Sequence, residues 1–87
     1  EREKDKARFV FKKKTYNAYD AQSIVFEACK YKSEIVVSND AKRANAKSII
    51  GLVSMKFVPG EEYVVTADGT DSREAAKSVA KFISELN

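Results

Sequence analysis

Asn45-Ala46-Lys47-Ser48-Ile49-Ile50-Gly51-Leu52-Val53-Ser54-Met55 is the stretch on which the reading of this chain turns. It passes from a polar, strand-like end into a short apolar helix, with Ser48 at the junction. Five of the eight residues from Ser48 to Met55 are large and apolar, more than one face of a two-turn helix can hide. Such a helix is either buried or offers a patch to a partner. A serine at its start either caps free backbone N–H groups or carries a phosphate, because those groups and the helix dipole favour an oxygen in both cases.

Outward from this stretch the pattern is regular. On its C-terminal side Pro59-Gly60 makes a turn. Glu62–Ala67 then reads as a strand with Tyr63, Val65 and Ala67 facing inward. Asp68-Gly69-Thr70 turns again, Asp71 with Glu74 forms a capping signal, and Ala75, Val79, Phe82, Ile83 and Leu86 stripe a closing helix. On its N-terminal side Ser33–Ser38 is β-branched and strand-like, and Asn39-Asp40-Ala41 supplies turn residues. Lys42–Ala46 returns as the hairpin partner, with Ala44 and Ala46 toward the core.

Further back, Arg8–Lys12 is a strand with Phe9 and Phe11 on one face, and Lys12-Lys13-Lys14 marks its exit to solvent. Thr15-Tyr16-Asn17 is a loop. Asn17 with Asp20 opens a helix whose apolar stripe is Ala21, Ile24, Val25 and Ala28. Cys29 lies beside that stripe and reads as packing, a small hydrophobe. Glu1–Lys6 is a mixed-charge tail, which leaves residues 7–87 as one domain. The order is β-α-β-β-α-β-α. Its economical packing is an α+β, open-faced β-sandwich: a four-stranded antiparallel sheet with three helices on one face.

Composition narrows the function. Eighty-seven residues, 44% hydrophobic and 33% charged, suffice for one core without disulfides. The single cysteine forms no disulfide or metal framework within the chain and suits a reducing cytoplasm. No apolar run has the length of a membrane span, so no membrane insertion is expected. There is no histidine, which removes imidazole acid–base catalysis, His-metal sites and phosphohistidine chemistry from these residues. No paired carboxylates, Gly-rich phosphate loop or nucleophile with a base stand out, so neither an enzyme nor a cofactor or metal site is expected. The net charge of +3 is mild. An RNA-binding sheet is the rival from another class, with Phe9, Phe11, Tyr16 and Tyr19 as stacking aromatics. No strand interleaves glycine and aromatics with basic residues as that signature requires, so no nucleic-acid partner is expected.

The stretch Asn45–Met55 resembles the regulatory-serine segment of HPr, the histidine-containing phosphocarrier family of the sugar phosphotransferase system. Ala28–Ile35 and Ala67–Ala75 resemble the neighbouring segments, and the likeness runs from about Phe9 to Leu86. The resemblance implies the same open-faced sandwich. The family's active loop, roughly Gly-x-His-Ala-Arg-Pro-Ala, is matched by Tyr16-Asn17-Ala18-Tyr19-Asp20-Ala21. Asn17 stands at the histidine position, Tyr19 at the arginine and Asp20 at the proline. An amide has no nucleophilic nitrogen comparable to imidazole, and tyrosine offers no charged fork for a phosphate. The resemblance thus implies a regulatory or adaptor protein unable to carry phosphohistidine. Ser48 would be its phosphorylation site, and Ile49, Ile50, Val53, Met55 and Tyr19 its partner-binding surface, with Leu52 turned inward. Implied partners are an HPr-type serine kinase, a transcription regulator or phosphotransferase components, in carbon catabolite regulation. The alternative is a degenerate homologue, or a domain of a larger protein (the chain opens on Glu1, not methionine), that binds partners without being phosphorylated.

Overall fold

The alternation read from the strands becomes a sheet with one buried face. In the computed structural model, which describes residues 4–86, the elements are β1 (Lys4–Val10), α1 (Ala18–Ala28), β2 (Glu34–Ser38), β3 (Arg43–Asn45), α2 (Ile49–Met55), β4 (Glu62–Asp68) and α3 (Ser72–Ser84). All pairings are antiparallel in the order β1-β4-β2-β3. Phe9 lies opposite Tyr63, Ala67 opposite Ile35, and Val65 opposite both Ala7 and Val37, so the inner residues share one side. That side is covered by the helices: α3 packs on β1 and β4, α2 on β3, and α1 bridges α2 and α3. The expected open-faced α+β sandwich is the fold found.

Three readings need correction. The charged tail is not all tail: Lys4, Asp5 and Lys6 pair with Asp68, Ala67 and Thr66, so β1 begins before Arg8 and ends at Val10. Residues 1–3, the rest of that expected tail, lie outside the described residues. Lys4, Lys6 and Arg8 face water on an edge strand, and such charges discourage pairing with other chains. Asp5 points inward and accepts a hydrogen bond from the buried Ser72 hydroxyl at 2.6 Å, which satisfies it. Cys29 is exposed, because it is the C-cap of α1 and falls just past the last buried position, Ala28.

Asp71, the third, is at the N-cap of α3 but makes no side-chain cap there. Its carboxylate instead accepts from the backbone N–H groups of Lys32 and Ser33, at 2.9 and 3.0 Å, and from the Ser33 hydroxyl. Gly69 approaches the same serine so closely that a Cβ would lie 2.7 Å from its Oγ. The α1–β2 loop and the β4–α3 turn are thereby fastened together.

The core beneath β1 and β4 is aromatic. Phe57 stacks on Phe11 with centroids 5.1 Å apart and meets Tyr63 and Tyr16 edge-on at 4.7 and 5.0 Å. The Tyr63 hydroxyl accepts from the Val58 N–H at 2.9 Å. Phe9 and Phe11 are therefore core residues, which removes two of the four aromatics the RNA-binding alternative required.

The hydrogen bond from Ser33, followed by those from the backbone, holds the Asp71 carboxyl below its ordinary value of 3.8. Its contribution to stability is present above that value and is lost as pH falls through the lower, folded-state value. Chemical denaturation across the acid range should show the stability gap between wild type and Asp71→Asn closing below pH 3.8. A gap that widens on acidification would contradict this assignment.

Candidate functional site

Helix α1 begins as its sequence predicts. Asn17 is extended (φ −136°), and its Oδ1 accepts from the Asp20 N–H at 3.0 Å. The Asp20 carboxylate accepts in return from the Asn17 N–H at 3.1 Å, which completes a reciprocal capping box. Its other oxygen receives the Lys13 ammonium at 2.6 Å. Asp20 is buried, and a buried carboxylate persists only when paired and hydrogen-bonded, as this one is. The positive end of α1 is therefore occupied by the chain's own side chain. Asn17 itself is exposed, as is Tyr19 at 76%.

Tyr16, expected in a loop, has a definite partner. Its ring sits against Phe11 and Phe57, and its hydroxyl donates to the Leu52 carbonyl of α2 at 2.6 Å. Burial, with the Asp20 carboxylate adding to it, pushes the Tyr16 phenol well above its ordinary value, so it stays protonated as a donor.

The second half of the site is α2. The Ser48 hydroxyl, half-buried, accepts from the Gly51 N–H at 3.2 Å, a cap for a helix otherwise too short to stand alone. Ile49, Ile50 and Val53 are exposed at 43%, 77% and 39%, while Leu52 is fully buried, as expected. Met55 is not part of that surface. It lies three residues after Leu52, on the same inner face, and is 2% exposed. Phe26, 66% exposed, belongs to the surface although the sequence reading does not single it out. It sits seven residues after Tyr19, two turns along the same side of α1, and that spacing is the available signal. Ala18, Tyr19, Gln22, Val25, Phe26 and Ile49 line one shallow apolar depression between α1 and α2.

Charge is uneven around this surface. Residues 41–60 contain four basic side chains (Lys42, Arg43, Lys47 and Lys56) and no acidic one. Two of the four are tied down: Lys42 donates to the Met55 carbonyl at 3.0 Å, and Lys47 to the Tyr31 carbonyl at 2.7 Å. Among the described residues no group of three or more His, Cys, Asp or Glu is placed to hold a metal. Among the same residues no helix is long and apolar enough to cross a membrane.

The Lys13–Asp20 pair can be tested by unbalancing it. Lys13→Met strands a buried carboxylate and should cost about 2–3 kcal/mol in urea denaturation, less than for a sealed pair because the Lys13 side chain is 17% exposed. Lys13→Met combined with Asp20→Asn should cost less than Lys13→Met alone, since the double change leaves no buried charge. A double variant less stable than the single would show that the pair is not the controlling interaction.

This geometry has close counterparts. A family profile described as the PTS HPr component phosphorylation site matches residues 10–85. The HPr-like protein Crh of Bacillus subtilis is 37% identical over 68 residues, 78% of this chain and 80% of that protein. The solved phosphocarrier HPr of Bacillus anthracis superposes with a TM-score of 0.82 at 30% identity, covering 92% of this chain and 96% of the other. The crystal structure of Bacillus subtilis Crh, described as a catabolite repression protein and a domain-swapped dimer, superposes with a TM-score of 0.75 at 35% identity over 86% of each chain.

Proposed function

This chain belongs to the HPr family of the phosphotransferase system, and from that premise we propose that it acts by protein–protein contact and not as a histidine phosphocarrier. It is an HPr-like, phosphotransferase-related regulator, and proteins of this kind are carriers or regulators, not enzymes. The finer reading is that a serine kinase transfers the γ-phosphoryl group of ATP to the Ser48 hydroxyl, which gives up its proton. The modified protein then docks on a transcription regulator or a phosphotransferase component in cytoplasmic catabolite control.

The observation that carries this reading is the exposure of Ile49, Ile50 and Val53 directly beside Ser48, on a helix whose Leu52 and Met55 are sealed in the core. An apolar patch of that kind on a small domain is suited to contact with a partner. Tyr19 and Phe26 extend it onto α1. A phosphate would add about −1.5 to −2 charge where the segment has four cations and no anion, and would change the field around the patch without requiring a new fold. Against histidine phosphotransfer stand the absence of histidine from these 87 residues and the Asn17–Asp20 box, backed by Lys13, at the start of α1.

A second reading has its own support. The Ser48 hydroxyl is half-buried and already engaged with the Gly51 N–H, as in a serine that only caps. The chain would then bind its partners unmodified.

Intact mass separates these readings. Incubation with an HPr-type serine kinase and ATP should add one phosphate, absent in Ser48→Ala. If wild type stays unmodified, the second reading replaces the first. Incubation with phosphoenolpyruvate and the first enzyme of the phosphotransferase system should leave no acid-labile phosphate, and a labile adduct would overturn the reading of Asn17.

A further inference from the structure

We propose that the segment Lys13–Asn17 serves as a positioning element for α2, with Tyr16 the residue that holds the last turn of that helix in place. The need for such a device follows from α2 itself. It has seven residues, below the length at which a helix is stable alone in water. It contains Gly51 and ends at Lys56 in the left-handed region (φ 50°), an unfavourable conformation for a residue with a Cβ. Ile49, Ile50 and Val53 point to solvent, so three of its five large apolar side chains contribute little burial to keep it seated.

What holds it is a set of side chains at its ends. Ser48 caps the first turn. In the last turn, where a helix's carbonyls run out of donors of their own, Tyr16 bonds the Leu52 carbonyl at 2.6 Å and Lys42 bonds the Met55 carbonyl at 3.0 Å. The two donors come from different parts of the chain: Lys42 from the β2–β3 turn, Tyr16 from the loop that enters α1. That loop is itself held, because Lys13 is bound to Asp20 and Asn17 exchanges hydrogen bonds with the same residue. Contacts thus run from Lys13 and Asp20 through the loop and Tyr16 to the carbonyl of Leu52, one residue before the exposed Val53. The groups at the start of α1 therefore act mechanically, keeping the apolar patch presented as a formed helix.

The significance of the brace rests on the reading of α2 as a docking element, but its test does not. Amide hydrogen exchange is measured on the free protein, wild type against Tyr16→Phe, which retains the ring packing against Phe11 and Phe57 and removes only the donor. Exchange in α2 should quicken by about 2- to 10-fold, the worth of one net hydrogen bond, with α3 amides as the internal reference. Lys42→Met should act on the same helix through the Met55 carbonyl. Unchanged α2 exchange in Tyr16→Phe, or an equal acceleration in α3, would overturn the brace. An unphosphorylated Ser48 would count against the functional reading and leave this result untouched.

Discussion

One-sided burial governs this molecule. A four-stranded antiparallel sheet whose inner face carries Phe9, Ile35, Val37, Tyr63, Val65 and Ala67 has to be roofed, and the described residues provide three short helices for it. The register makes that face continuous: residues opposite Val65 on both neighbouring strands, Ala7 and Val37, point the same way. A slip of one residue would send the whole set to water. The connections of that roof are held by polar contacts: Asp71 on the α1–β2 loop, Ser72 on Asp5, Tyr63 on Val58. Each satisfies a group that the packing takes from water.

The same economy shapes the exposed apolar surface. Helix α2 contributes only Leu52 and Met55 to the roof, which leaves Ile49, Ile50 and Val53 facing outward. Its exposed side is therefore the counterpart of a small inner contribution, and its last turn is tied by residues from elsewhere in the fold. At the start of α1 a carboxylate, an ammonium and an amide satisfy one another, so the positive helix end and the loop before it are closed by the chain's own groups. Family membership and this arrangement are compatible: the scaffold is that of HPr, and the chemistry at the head of its first helix is that of a cap.

Where side-chain period and backbone geometry coincide, the sequence is legible. Tyr63, Val65 and Ala67, the Asn17–Asp20 box, and Ala44 with Ala46 lie where their spacing puts them. The failures have physical causes. Lys4-Asp5-Lys6 shows no apolar alternation, because its outward residues face water and its inward one is an aspartate satisfied by a distant serine. Met55 is placed outward by the family resemblance, but its spacing of three residues from the inward Leu52 puts it on the buried face of the helix. Asp71 matches a local capping pattern, but a tertiary contact with Ser33 outcompetes it. Tyr16 and Phe57 lie in loops, outside any periodic segment, and only the folded chain brings them together.

The exposed thiol at the end of α1 has a practical consequence. The chain holds one cysteine, and Cys29 stands in solvent just beyond the last buried turn, three residues from Phe26. A maleimide dye attached there would be a unique reporter at the end of a packed helix that lines the apolar depression, distant in sequence from Ser48. Its anisotropy would rise on complex formation with any partner, so the surface is open to titration before the partner has been identified.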